Sequence, residues 1–235
     1  MEISPDITAE HTSLWFSKHK ILSFADIHLG YEEELRKKGI HLPTGEFEYQ
    51  KRLFSKLIGK YKPKTVVLNG DVKHSFGGIN DTEWRHTLKL LELITTKSEV
   101  VIIKGNHDIT LAPIARKKSI AVVDHYTSGE LLFIHGDIEP KKEWLKNAKT
   151  IVMGHEHPAV GLTNGVRQEV YKCFLKLPWK RKTLIIQPST FSLTTGIDVL
   201  ADHLQSKWLG SVAKSEVYVV GEDGKVLDFG RLNRI

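Results

Sequence analysis

The sequence predicts an α/β fold with two sheets. Short continuous apolar runs alternate with helical apolar patterns through the first two thirds of the chain. After residue 160 the pattern changes to strand-like segments joined by glycine-rich turns. The 235 residues carry no internal repeat, low-complexity tract or Ser/Gly linker, so 1–235 is read as a single domain, long enough to bury a sizeable core.

The elements follow in order. Segments 21–25 (ILSFA), 65–68 (TVVL), 100–103 (VVII), 131–135 (LLFIH) and 150–153 (TIVM) are apolar throughout or rich in β-branched residues, as strands covered on both faces must be. Between them, residues 45–61 place Phe47, Phe54, Leu57, Ile58 and Tyr61 roughly on one helical face, and Pro63 ends that helix. Residues 81–95 place Trp84, Leu88, Leu91 and Thr95 on another, with Asn80 and Glu83 spaced as a capping box. Beyond 160, VRQEVYKCFLKL, KTLIIQP, SEVYVV and KVLDFG are expected to build the second sheet, packed on the first.

Composition is that of a soluble globular protein, 40% apolar and 26% charged. No apolar run approaches the ~20 residues of a membrane helix. The N-terminus lacks the basic and apolar regions of a signal peptide. Cys173 is the only cysteine, which excludes an intramolecular disulfide and points to a cytoplasmic setting. The net charge of +6 suits phosphate-bearing partners and equally suits a Lys-rich surface. Segment 172–182, KCFLKLPWKRK, has two readings: cations and aromatics that stack bases, or an exposed hairpin with one packed face.

Each of five apolar runs is followed at once by polar residues: Asp26-Ile27-His28, Asn69-Gly70-Asp71-Val72-Lys73-His74, Gly105-Asn106-His107-Asp108, His135-Gly136-Asp137 and Gly154-His155-Glu156-His157. Ligands bind at the carboxyl ends of strands in α/β sheets, so parallel neighbours would gather all five loops at one rim. Imidazole, carboxylate and amide oxygen together suit borderline divalent metals. Asp71, freed to turn tightly by Gly70, is the natural carboxylate to bridge two cations. Taken singly, Gly70-Asp71 is also a turn signal and Asp26-x-His28 a chance pair. The remaining histidines, His11, His19, His41, His86, His125 and His203, are read as surface or hydrogen-bonded side chains.

In this order, D-x-H, G-D-x-x-H, G-N-H-D, H-G and G-H-x-H resemble the signature of the calcineurin-like metallophosphoesterases. Within that superfamily DIHLGY (26–31) and GDVKH (70–74) look like SbcD-type repair nucleases. ADIHLG, GIHLPTGE (39–46), GHEHPAV (154–160) and the late P-x-T-F…T-x-G element (188–196) are similar to small archaeal SbcD-related phosphoesterases and their bacterial counterparts encoded near DNA ligase and helicase genes. The resemblance implies a four-layer α/β/β/α sandwich of two mixed sheets. It implies one ion on Asp26, His28 and His157, another on Asn106, His135 and His155, and Asp71 between them. It places His107 beside the substrate phosphate and leaves His74 to assist it or to shape the pocket. Asp108 either orients His107 or caps a helix beginning at Ile109. Segment 39–45 is expected at the pocket rim or at a subunit contact.

The expected cofactors are two divalent ions, manganese first, with iron, zinc or nickel as alternatives. The expected activity is hydrolysis of phosphodiesters, and of monoesters as well, in nucleotides or short nucleic acids. A repair nuclease of the SbcD type is the alternative, and a non-catalytic scaffold is disfavoured because every ligand position is filled. The expected partners are a phosphate-ester substrate and DNA repair proteins such as a helicase or ligase, with no membrane and with a homodimer open.

Overall fold

The computed structural model describes residues 1–40, 45–76, 78, 80–163, 165 and 167–235. The first sheet opens with an antiparallel meander of β1 (Glu2–Ser4), β2 (Ile7–Glu10), β3 (Ser13–Phe16) and β4 (Ile21–Ala25). It continues in parallel through β5 (Thr65–Asn69), β6 (Glu99–Ile103) and β7 (Ala121–Val123). Helices α1 (Tyr31–Lys37), α2 (Glu46–Tyr61), α3 (Asp81–Thr95) and α4 (Ala112–Arg116) lie in the connections.

Phe47, Phe54, Leu57 and Ile58 of α2 pack with Leu90, Leu91 and Ile94 of α3 over one face of this sheet. The buried face of α3 is therefore rotated from the expected one: Leu90 and Ile94 face inward in place of Thr95. Its capping box forms as the sequence predicts. Glu83 N donates to Asn80 Oδ1 at 2.8 Å, and Asn80 N donates to Glu83 Oε2 at 3.2 Å. Helix α2 has no cap of its own, and Glu32 of α1 accepts from Gly45 N and Glu46 N instead.

The second sheet begins earlier than expected. Only Asp124 separates β7 from β8 (His125–Ser128), where the chain changes sheets. Then come β9 (Leu131–Ile134), the short helix α5 (Lys142–Leu145), β10 (Thr150–Met153), β11 (Pro158–Thr163), β12 (Gln168–Trp179), β13 (Lys182–Ile186) and β14 (Ile197–Asp198). Their order is β14-β11-β12-β13-β10-β9-β8, and a hairpin of β15 (Glu216–Val220) and β16 (Val226–Arg231) joins at β12. The apolar runs of β9 and β10 thus belong with the C-terminal strands, not beside β4 to β6.

Strand alternation sorts the side chains into layers. Leu22, Phe24, Val66, Leu68 and Ile102 face the helices. Ile21, Val67 and Ile103 turn the other way and meet Leu131, Phe133, Val152 and Ile185 between the sheets. Leu132, Ile134, Ile151, Met153, Leu184 and Ile186 face outward under Trp144, Ala148 and Leu209. The result is the α/β/β/α sandwich, with α5 and irregular chain as its thin last layer. Polar groups also join the sheets: Ser23 Oγ donates to Gln187 Oε1 at 2.8 Å, and Gln187 Nε2 returns a bond to Ser23 O at 3.0 Å. No helix among the described residues is long and apolar enough to cross a membrane.

The base-stacking reading of 172–182 is overturned. Phe174 and Trp179 are core residues, and Trp179 packs edge-on against Trp208. Lys172 is engaged by Ser189, Lys176 by Ile3 O and Glu216, and Lys180 by Glu139. The turn of this hairpin precedes the first residue of β13, at the end of the strand away from Gln187.

Candidate metal centre

The five loops converge from both sheets. Asp26, His28, Asp71 and Asn106 follow β4, β5 and β6, whereas His135, His155 and His157 follow β9 and β10. Backbone bonds zip the first two loops together: Ile27 N and His28 N both donate to Asp71 O, at 3.0 and 2.9 Å. The His155 amide spans the sheets to reach the Asp26 carboxylate. Two glycines are set by close approach. A Cβ on Gly105 would lie 2.1 Å from Asp71 Oδ1, and one on Gly154 would lie 2.6 Å from Asp26 Oδ2.

Asp26, His28, Asp71, His155 and His157 all adopt left-handed backbone, with φ of 51°, 48°, 47°, 68° and 45°. Such conformations are uncommon outside glycine, and they gather at functional sites where surrounding structure enforces them. Strand alternation has ended at Met153, and the left-handed residues on either side turn Glu156 away, where its carboxylate accepts from Gln205 N and Ser206 N at 2.6 and 2.8 Å.

Three donor groups lie together. Asp26, His28 and His157 form the first, Asp71, His135 and His155 the second, and His28, His74 and His107 the third, which shares His28 with the first. In the first, His28 Nε2 and His157 Nε2 lie 3.3 Å apart, with Asp26 Oδ1 3.6 Å from His157 Nε2. In the second, His135 Nε2 has Asn106 Oδ1 at 3.0 Å, His155 Nδ1 at 3.2 Å and Asp71 Oδ2 at 3.4 Å. Asp71 Oδ2 is also 3.9 Å from His28 Nε2 and 3.8 Å from His107 Nε2, so it lies between the groups.

This arrangement fits divalent cations. A single N–H on His135 Nε2 cannot satisfy three surrounding lone-pair atoms, and buried polar atoms left so cost free energy. His135 Nδ1 is buried with no hydrogen-bond partner; the nearest carboxylate oxygen, Asp26 Oδ1, is 3.6 Å away. The set of imidazole nitrogens with carboxylate and amide oxygens suits borderline metals.

Electrostatics follow the same geometry. Burial, reinforced by His157, pushes His28 down to about 3. Burial opposes charge on His135 too, but Asp71 and Asp26 outweigh it and push its pKa up to about 9. Burial likewise opposes ionisation of Asp26, yet His157 and His135 hold its pKa below the ordinary carboxylate value.

His107 donates from its own amide to Asp71 Oδ1 at 3.0 Å, and its Nδ1 bonds the His74 carbonyl, which leaves Nε2 towards Asp71. His74 lies with Nδ1 3.4 Å from His28 Nδ1 and Nε2 3.0 Å from Glu34 Oε2. Asp108 takes neither expected arrangement. Its carboxylate accepts from Val72 N, Lys73 N and Gly105 N at 3.0, 3.2 and 3.1 Å, clamping the second and third loops. Helix α4 starts later, after Leu111, with no side-chain cap. Burial and the charge of Asp71 push Asp108 up to about 7.

Sequence reasoning missed several neighbours of these side chains. Glu34 gave no motif signal; it lies one helical turn after Gly30, the residue before α1. The late element 188–196 proves to hold the first loop: Thr190 N and Phe191 N donate to Ala25 O and Asp26 O at 2.8 and 3.3 Å, and Ser192 is gripped by Glu46. Among the other histidines, His19 bonds Ser128, His86 stacks on Phe47 and His125 on Trp144, all outside the cluster. His41 and most of segment 39–45 lie outside the described residues.

The calcineurin-like phosphoesterase family matches residues 19–179. The structure of the nuclease MPE from Pseudomonas putida is similar over 94% of this chain and 93% of its own, with a TM-score of 0.68 and 18% identity, which shows a shared fold. The phosphoesterase YfcE from E. coli is similar over 90% and 98% of the two chains, with a TM-score of 0.44 and 13% identity. No curated protein matches the chain in sequence.

Proposed function

Because the chain belongs to the calcineurin-like phosphoesterase family and is thus a hydrolase of phosphate esters, we propose that it cleaves phosphodiesters of nucleotides or nucleic acids, and monoesters as well, at a two-cation centre. The observation that carries this reading is the convergence of Asp26, His28 and His157 beside Asp71, His135 and His155, with Asn106 Oδ1 3.0 Å from His135. Asp26, His28 and His157 would hold one ion, Asn106, His135 and His155 the other, and Asp71 both. Manganese is the first candidate, followed by iron, zinc and nickel. Two such ions supply charge neutralisation for the phosphoryl group and activate water for attack.

The remaining steps belong to the chain. His107, with Nδ1 committed to the His74 carbonyl, presents Nε2 to the substrate. As the doubly protonated imidazolium it donates that N–H to a phosphate oxygen and then gives the Nε2 proton to the departing ester oxygen, leaving a neutral ring. His74, held by Glu34, presents Nδ1 beside His28 and narrows the cleft on that side. Asp108 acts as a positioning residue, holding the Asp71 and His107 loops in register through the amides it accepts from.

The SbcD-type nuclease remains the second reading, favoured by His74 in the G-D-x-x-H motif and by the likeness in fold to a nuclease. Repair proteins as partners go with that reading, and a cytoplasmic setting is proposed for either. Stripping the metals, reloading singly with Mn²⁺, Fe²⁺, Zn²⁺ or Ni²⁺, and assaying bis-p-nitrophenyl phosphate, p-nitrophenyl phosphate, cyclic nucleotides and single- and double-stranded DNA would test it. Undiminished turnover after verified metal removal would overturn the two-cation reading, and cleavage of DNA ends alone would favour the nuclease.

A further inference from the structure

An aromatic surface runs along one side of the cluster. Phe191 lies edge-on to Tyr31 at 4.9 Å between ring centroids, Tyr31 to His74 at 4.4 Å, and His74 lies 5.3 Å from His107. The series ends at Phe76, whose centroid is 3.6 Å from that of His107. Phe191 is buried and Tyr31 half-buried, but Phe76 is 60% exposed. A phenyl ring left so open beside a charged cleft forgoes the stabilisation that burial would give it. Its loop is nonetheless anchored: Ser75 N donates to Glu83 Oε1 at 2.8 Å, and the buried Lys73 ammonium bonds Ser75 O.

We propose that Phe76, presented on His107 beside the metal centre, is a stacking platform for the nucleobase of the substrate. The inference rests on reading the centre as a site for phosphate esters, and it narrows the substrate class to esters whose alcohol carries a base. The chemistry favours this occupant over a plain alkyl group. A nucleotide carries its base one sugar away from the phosphorus, and Phe76 stands one imidazole away from Asp71. Every base offers a π-face, so one phenyl ring serves without choosing the sequence. The competing role for Phe76 is an apolar cover that keeps water from His107, and leucine would perform that role as well as phenylalanine.

Binding to the metal-loaded protein separates these cases. Calorimetric titration with the non-hydrolysable 5′-methylenephosphonate analogues of thymidine 5′-monophosphate and of 2-deoxyribose 5-phosphate compares the same sugar and phosphorus group with and without a base. Stacking predicts tighter binding of the nucleotide by on the order of 5- to 100-fold. Phe76→Ala and Phe76→Leu should remove that ratio, Phe76→Trp should keep it, and all three should retain wild-type metal content. Equal affinities in the wild type, or a ratio that survives in Phe76→Leu, would overturn the platform while leaving the phosphoesterase reading intact. Failure of both compounds to bind would overturn both.

Discussion

The backbone amide of His155 donates to both carboxylate oxygens of Asp26, at 3.1 and 3.0 Å, and ties the last loop of the second sheet to the first loop of the first. Asp26 is fully buried and its carboxylate also faces His157 Nε2 at 3.6 Å, so one side chain serves as proposed ligand and as clip. Asp26→Ala should therefore lower metal content at both sites and cost about 1–3 kcal/mol of stability in metal-free protein, the penalty for a buried amide without its acceptor. Asp26→Asn keeps an acceptor oxygen and should lose less of the second ion. Metal analysis and thermal unfolding would check both, and an unchanged melting temperature in Asp26→Ala would remove the clip.

Asp71 stands between the two proposed ion sites, 3.4 Å from His135 Nε2 and 3.9 Å from His28 Nε2. Asp71→Ala should empty both sites, whereas His157→Ala and His155→Ala should each lower occupancy at a different one. Metal counted per chain after dialysis decides this, and two ions retained in Asp71→Ala would defeat the bridging assignment.

His107 touches Asp71 through its amide, its Nδ1 is taken by the His74 carbonyl, and its ring lies 4.9 Å from that of His28 between centroids. His107→Asn should keep both ions and lose about 10²- to 10⁴-fold in turnover, the usual range for a general acid. Departure of the ions along with the activity would make His107 a ligand.

His135 sets a pH dependence for the metal-free protein. Its folded pKa, about 9, lies above the ordinary histidine value of 6.5. The folded state therefore holds this proton more tightly than the unfolded chain does. The stability it contributes is complete below about pH 6.5 and is lost as pH rises through about 9. The melting temperature of metal-free protein should fall across that window, and less steeply in His135→Asn. A ligand imidazole must be neutral, so metal loading near pH 7.5 should also release a proton. Calorimetry in buffers of different ionisation enthalpy would register it, and a proton count of zero would contradict the assignment.

The sequence carried much of this arrangement in its polar punctuation. Strands β4, β5, β6, β9 and β10 were legible because a strand covered on both faces has no choice but continuous apolar residues, and the loops were legible because each one breaks that run with ligand chemistry. For the same reason the sequence could not say which sheet a strand joins: LLFI and TVVL look alike when both of their sheets are buried twice over. The three- and four-residue strands β1 to β3 were too short for any periodicity to register. Asp108 was misread because its partners are backbone amides, which leave no trace in residue identity. Phe174 and Trp179 looked available beside lysines, and only the packing of the second sheet shows them taken. Glu34 and Phe76 act by proximity in space to loops far away in the chain.

The left-handed backbone at Asp26, His28, Asp71, His155 and His157 limits how this centre could be altered. Asp, Asn and His are the side chains most at ease in that conformation after glycine. At these five positions the backbone and the proposed metal thus select the same residues. A thiolate or a glutamate, equally able to donate to a metal, would carry a conformational penalty there. Asn106 and His135 have no such constraint, since neither is in the left-handed region. An engineer who wished to retune the centre towards a softer metal would have two positions open to cysteine without strain, and both belong to the same proposed ion. Selectivity at that ion could drift while the other stays fixed by its own backbone.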